Sequence, residues 1–402
     1  MKIPFAPPRV DDKTIAEVVD TLNSGWITTG PKTAKLEEEI TAYTQASATV
    51  CLNSATAGLE LMLRWFGVQE GDEVIVPAYT YCATANVVEH VGATPVMVDV
   101  NNADANINLA AIEAAISDRT KVIVPVDIAG MPCDYCEILA LALEKGKALF
   151  QPRNDRQKQL GRPMVMADAA HSFGALYGKK RLGSQVDAMV FSFHAVKNLT
   201  TAEGGAVCLN FEAFNNHELY AELRTLSLHG QSKDAFKKMQ PGAWRYDVAY
   251  PGYKCNMTDL QAAIGLVELA RYDETLNRRK EICNRYIQGL ADEELCLLPE
   301  FADNVKESSY HLFRLRIKDA KEADRDKIIT ILAEQGIATN VHFLPLPMLS
   351  YYKNKGYDIK DYPNAYNCFA NEISLPVYFD LTDEMVDYVV DHVKKAVQAV
   401  MR

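Results

Sequence analysis

The sequence predicts an α/β protein in two parts. A large domain over residues 1–257 carries a mostly parallel central sheet and an N-terminal arm, and a connecting helix and a smaller C-terminal α+β domain occupy 258–402. Three observations predict this. Short runs rich in Val and Ile, bounded by Gly, Pro and Asp, recur between residues 48 and 210, as strands buried on both faces of a sheet require. Segments of helical spacing such as LAAIEAAISD (109–118) lie between them, so strands and helices alternate. From about residue 258 the alternation gives way to one long helical stretch and then a shorter mixed pattern.

In chain order the predicted strands are DEVIVPAY (72–79), TPVMVDV (94–100), KVIVPVDIAG (121–130), PMVMADAA (163–170) and AMVFSF (188–193). The segment KGKALFQPRNDRQKQLGR (145–162) is polar and basic and reads as a surface insertion ahead of the strand at 163. TDLQAAIGLVELARYDETLNRRKEICNRYIQGL then continues as helix. YHLFRLRI reads as a strand, EADRDKIITILAEQG as a helix and TDEMVDYVVDHVKKAV as the final helix. There is no internal repeat or low-complexity tract.

Length and composition narrow the function. At 402 residues, 48% hydrophobic and 24% charged, the chain has ample material for a core. A formal net charge of -11 argues against a polyanion partner or a membrane surface, which call for an excess of Lys and Arg. An anionic small molecule in a local pocket is compatible with it. The start, MKIPFAPPRVDD, has no basic region followed by an apolar run, and no segment reaches the roughly 18 apolar residues of a spanning helix, so the expectation is a soluble, cytoplasmic protein. The nine cysteines mostly stand singly in apolar segments, as at Cys51, Cys82 and Cys208, which suits reduced core thiols. Cys133 and Cys136 have CxxC spacing, but a structural zinc wants a second pair at a related spacing; they read as two unrelated thiols after a turn, and no metal is expected.

In an open α/β sheet, ligands bind beyond the carboxyl ends of the strands, so polar residues just after apolar runs carry the functional signal. NSATAGLEL (53–61) puts Ser54, Ala55 and Thr56 at a helix start, where unpaired N–H groups and small side chains admit a phosphate; plain capping by Ser54 explains the same residues. PAYTYCATAN (77–86) places Tyr79 and Tyr81 near the same edge, as core or as a platform for a planar ring. MADAAHSFGA (166–175) ends a strand on Asp168, with His171 three residues on, and a half-buried carboxylate wants a protonated partner. FSFHAVKNLTTAEGG (191–205) supplies Ser192, His194 and Lys197. A lysine in a tight apolar site loses solvation of its charged form and becomes a usable amine nucleophile, of the kind that forms Schiff bases with aldehydes. Together, a phosphate cradle, an aromatic platform, a strand-end aspartate and a later lysine are what pyridoxal 5'-phosphate needs.

At these residues the chain resembles the sugar aminotransferases of the DegT/DnrJ/EryC1/StrS family, within the aspartate-aminotransferase fold type (fold type I). SGWITTGP (24–31), NSATAGLEL, ATPVMVDV, ADAAHSFGA, FSFHAVKNLTTAEGG, PGYKCNMTDLQAAI (251–264) and SLPVY (374–378) fall in the family's order along nearly the whole chain. The resemblance implies that Lys197 holds the cofactor as a Schiff base and moves the proton in both half-reactions. It also implies that Asp168 pairs with the pyridine nitrogen, that His171 lies beside the phenolic oxygen, that Ser192, Ala55 and Thr56 hold the phosphate, and that Tyr81 stacks on the ring. Asn256 matches a position that reaches the phosphate of a neighbouring subunit's cofactor, which implies a homodimer.

The implied reaction takes the amino group of glutamate, leaving 2-oxoglutarate, and places it on the C4 keto carbon of a nucleotide-linked sugar. A UDP-4-keto-pentose is the leading substrate, with UDP- or dTDP-4-keto-6-deoxyhexoses as alternatives, for surface polysaccharide or lipopolysaccharide biosynthesis. Two departures stand out. AEGG (202–205) replaces the family's Gly-Glu-Gly-Gly, and Pro347 in LPLPML (344–349) stands where the family's PLH has a histidine on the substrate side. Two rival readings also follow. A related dehydratase would carry histidine where Lys197 stands, and a non-catalytic regulator on this fold would need an added DNA-binding module or a ruined site.

Overall fold

The computed structural model describes residues 1–231 and 246–402. Its centre is a seven-stranded sheet of β1 (Ala48–Leu52), β2 (Glu73–Pro77), β3 (Thr94–Val98), β4 (Thr120–Ile123), β5 (Met164–Asp168), β6 (Ala188–Ser192) and β7 (Gly205–Leu209), in the order β1-β7-β6-β5-β4-β2-β3. β3, β2, β4, β5 and β6 pair in parallel. β7 is antiparallel to both β6 and β1, so it alone runs backwards and the other six strands end at the same edge. The amino end of β7 also lies there. β1 and β7 fall outside the strands read from sequence, and the run at 121–130 stops as a strand at Ile123, giving way to a turn of 3-10 helix at Ile128–Gly130.

Two apolar cores flank this sheet because its strands are buried on both faces, the edge strand β3 only in part. Val50, Val76, Val124 and Val190 point to one, and Cys51, Ile75, Ile123 and Phe191 to the other. The segment 145–162 is not a loose insertion. Phe150 enters the core, and Asn154 caps a helix, Asp155–Leu160, while its amide donates to the Phe66 carbonyl. Gln157 is fully buried and donates to Phe66 and Gly67, so these polar residues finish the carboxyl end of the helix Ala55–Phe66.

The helical stretch after residue 257 is two helices, Asp259–Ala270 and Tyr272–Leu290, broken at Arg271, whose side chain binds Glu268 and Asp11. A second, antiparallel sheet follows, of β8 (Cys296–Leu297), β9 (Phe313–Ile317) and β10 (Glu372–Leu375), in the order β8-β9-β10. The helix Asp383–Met401 turns Val386, Val389, Val390, Val393 and Val397 into a third core. Ile3 of the N-terminal arm joins it, bonded through its backbone to Gly336 and Ala338. Among the described residues no helix is long and apolar enough to cross a membrane, and no group of three or more His, Cys, Asp or Glu could hold a metal ion. Cys133 is buried and donates to the Val126 carbonyl, while Cys136 is exposed at the start of a helix; both are free thiols.

Candidate active site

The carboxyl edge of the sheet opens into a cavity of about 480 Å³. The ends of β1, β2, β5 and β6 all reach it, which is how residues more than a hundred positions apart come together. Ala55, Thr56, Tyr81, Asp168, His171, Ser192 and Lys197 all line this one cavity. Asn256 does not. It lies in a second cavity of about 350 Å³ beside Thr29, to whose hydroxyl it donates.

The floor is built by register. Gly205, the first residue of β7, lies opposite Leu52 of β1 on one side and Ser192 of β6 on the other. A Cβ on Gly205 would stand 2.4 Å from the Ala55 nitrogen and 2.6 Å from the Ser54 carbonyl carbon, so only glycine lets the start of the helix Ala55–Phe66 close over the strand ends. Ser54 caps that helix by accepting from the Ala57 N–H at 3.1 Å. The capping reading of Ser54 is therefore correct, and it leaves the first-turn N–H groups of Ala55 and Thr56, which have no intrahelical partner, at an anion-favouring helix start.

Asp168 ends β5. It is buried, accepts from Thr84 Oγ1 at 2.8 Å and from the Ala170 N–H at 3.3 Å, and burial pushes its carboxyl up against the pull of those donors and of Lys197. Such a group is completed by a protonated nitrogen. Lys197 lies on the connection from β6 to β7. Hydrogen bonds from Phe193 to Gly204, from Thr201 to Phe193 and from Lys197 to His194 close that loop, and Asn198 donates to the Ser309 carbonyl, tying it to the chain before β9. Burial pulls Lys197 down to about 8, while Asp168 opposes the shift. Ala202 takes a φ of 66° here, in the left-handed region that favours glycine.

Four imidazoles line the cavity of the lysine, of which His171 and His194 are the two read from sequence; His194 is exposed, 3.6 Å from Glu203. His171 Nδ1 accepts from the Ala129 N–H at 3.3 Å, so the neutral ring carries its proton on Nε2. His311 stands 4.3 Å away, centroid to centroid, with Nδ1 bonded at 2.8 Å to Asn198 Oδ1. Phe343 stacks on His171 at 5.7 Å. Burial, with Lys197 as a further cause, holds both His171 and His311 well below the usual histidine range. His311, His342, Phe343, Thr84 and Phe5 were missed because each stands in an ordinary apolar context. Only tertiary folding brings YHLF and NVHF to the sheet edge. Tyr81 is 60% exposed at the mouth, 5.9 Å from Phe343. Pro347 is buried in a single turn, Leu346–Met348, and contributes no polar group.

The arrangement offers an anion cradle, a buried carboxylate, a lysine whose charge burial makes easy to lose and an aromatic mouth, a set that fits a phosphorylated pyridine aldehyde. Comparison with known proteins agrees. The family model described as the DegT/DnrJ/EryC1/StrS aminotransferase family matches residues 8–394. The spore coat polysaccharide biosynthesis protein SpsC of Bacillus subtilis is 40% identical over 400 residues, covering 98% of this chain and 97% of SpsC. Spr1654 of Streptococcus pneumoniae, named as a sugar aminotransferase and solved in its PMP form, superposes with a TM-score of 0.96 at 48% identity, covering 99% of this chain and all of that one. Helicobacter pylori PseC, an aminotransferase in pseudoaminic acid biosynthesis, superposes with a TM-score of 0.86 at 27% identity, covering 99% of this chain and 100% of that one.

Proposed function

The chain belongs to the DegT/DnrJ/EryC1/StrS aminotransferase family, and from that premise we propose that it transfers the amino group of glutamate to the C4 keto carbon of a nucleotide-linked sugar. It is a sugar aminotransferase that uses pyridoxal 5'-phosphate. A UDP-4-keto-pentose is the leading substrate and a UDP- or dTDP-4-keto-6-deoxyhexose the alternative. The likeness to SpsC supports a place in surface polysaccharide synthesis, and a cytoplasmic location suits nucleotide-linked substrates. The observation that carries the reading is that Lys197 and Asp168, from adjacent strand ends, face one cavity whose floor only Gly205 permits.

When bound, the cofactor supplies an aldehyde to take up the amino group and a ring that draws electrons from the Cα–H bond being broken. Asp168 would hold the ring nitrogen protonated, and the buried carboxylate has no other cation than Lys197 among its described partners. The N–H groups of Ala55 and Thr56 and the Ser192 hydroxyl would hold the phosphate. His171, a donor at Nε2, would sit beside the phenolic oxygen, and Tyr81 would cover the ring. Lys197 would anchor the cofactor, then take the proton from the donor's Cα at Nζ and return one to the sugar's C4. Its lowered pKa suits a group that must accept and release a proton near neutrality.

The active unit we propose is a homodimer. Asn256 lines the second cavity and not that of Lys197, which supports an expected phosphate contact made across a subunit interface. We further take 1–257 as the cofactor domain and 258–402 as the connecting helix and small domain. The separate core around β9 and β10 supports that division.

The test is a glutamate half-reaction followed by absorbance, then a panel of nucleotide 4-keto sugars offered to the amino form. Wild type converts the cofactor and aminates one class of sugar. Lys197→Ala binds the cofactor without the band of the protein-linked form and loses transamination by on the order of 10³-fold or more. Full turnover by that variant removes Lys197 from the mechanism, and a wild type inert toward glutamate removes the aminotransferase reading.

A further inference from the structure

All the polar atoms of His342 but one are committed. Its backbone N–H donates to Glu372 Oε2 at 3.0 Å, its carbonyl accepts from the Tyr79 hydroxyl, and its Nδ1 lies 2.8 Å from Ser374 Oγ. One ring face stacks on Phe5 of the N-terminal arm at 5.6 Å, and Phe343 meets it edge-on at 5.0 Å. Paired backbone bonds between Asn340 and Ser374 pin the segment to β10. Nε2 is the atom left over, on a ring that lines the cavity of Lys197.

The polarity of Nε2 follows from proton counting. With Glu372 ionised, Ser374 Oγ donates to Glu372 Oε1 at 2.5 Å, and since a hydroxyl has one proton, Ser374 then accepts from His342 Nδ1–H. A neutral ring protonated at Nδ1 carries a lone pair at Nε2. Burial, with Lys197 and Arg314 nearby, pulls His342 down to about 3, which keeps the ring neutral. Burial raises Glu372 to about 7, and Arg314, 4.0 Å from its Oε1, opposes that shift and favours the ionised carboxylate on which this order depends.

The cavity must receive two substrates, and they differ at this atom. The carboxylates of glutamate and 2-oxoglutarate only accept hydrogen bonds, and the amino group is occupied by the transfer itself. A sugar ring presents hydroxyl donors.

Resting on the sugar-aminotransferase reading, we propose that His342 is the residue that reads the sugar: its Nε2 accepts a hydrogen bond from a sugar hydroxyl, and Ser374 and Glu372 are positioning residues that keep the proton on Nδ1. Its imidazole reaches the cavity where the buried Pro347 offers none.

The test measures the two half-reactions separately on holoenzyme. His342→Phe keeps a ring against Phe5 and removes the acceptor. It lowers kcat/KM for the nucleotide sugar by about 10- to 100-fold and the glutamate half-reaction by a much smaller factor. His342→Gln, whose amide oxygen reaches toward the Nε2 position, recovers most of the loss. Glu372→Gln raises the sugar KM more than it slows the glutamate step. Against a series of deoxy nucleotide sugars, wild type drops to the level of His342→Phe for one analogue, and the variant shows no further drop with it. Equal losses in both half-reactions, or additive losses with every deoxy sugar, overturn the proposal. A wild type that fails the glutamate half-reaction overturns the aminotransferase reading and this one with it.

Discussion

At the scale of single residues, Lys197 shows how burial sets reactivity. An exposed lysine is almost wholly charged at neutral pH, whereas Lys197 is brought to about 8 by loss of solvation, with the Asp168 carboxylate working the other way. The neutral amine is the form that attacks an aldehyde. The rate at which apo-protein captures pyridoxal 5'-phosphate should therefore climb with pH, level off above about 8, and fall as the amine is protonated below it. Asp168→Asn removes the charge that raises this pKa, so the midpoint should move to lower pH even as transamination slows. Stopped-flow reconstitution across pH 6 to 10.5 checks both signs. A rate still climbing above pH 10, as for a solvated lysine, would refute the buried-amine account.

At the scale of elements, the cradle depends on one reversed strand. Because β7 runs against its neighbours, its first residue rather than its last lies at the functional edge, between Leu52 and Ser192. Gly205→Ala would press a methyl onto the backbone of Ser54 and Ala55, atoms that cannot rotate away. Overpacking of this kind costs about 1–3 kcal/mol. The expected result is a lower melting temperature and cofactor affinity weakened by about 10-fold or more, read by calorimetry and by pyridoxal 5'-phosphate titration. Unchanged affinity would show that the cradle does not hold the phosphate. The trace of this in sequence is the Gly-Gly pair at 204–205, after the lysine. What it could not disclose was strand direction, since an apolar run of five residues reads the same both ways.

At the scale of the whole molecule, the first helix, Asp12–Asn23, is inside out. Thr14 and Thr21 are its buried residues, while Ile15, Val19 and Leu22, spaced along one face, are 54%, 46% and 54% exposed. Val10 and Ile27 extend the apolar surface. In the homodimer proposed above a second copy would cover this face, and the same assembly would bring Asn256 to the cofactor cavity of its neighbour. Val19→Glu combined with Leu22→Glu should shift sedimentation from dimer to monomer and remove most activity, while Lys197 and Asp168 stay intact. A doubly substituted protein that stays dimeric and active would place the interface elsewhere.

Composition and period determined the α/β class, because buried parallel strands must be apolar throughout and must end in turns. They also picked out Asp168 and Lys197, since a charge placed at the end of such a strand has few uses other than chemistry. The break at Arg271, the helical packing of 145–162 and the antiparallel β7 came only with the tertiary structure, because each is fixed by contacts between segments far apart in the chain. The same holds for His311 and His342. A histidine in an apolar run carries no local mark of function, and what His342 can do depends on which proton Ser374 and Glu372 leave on its ring, a question decided by neighbours thirty or more positions away.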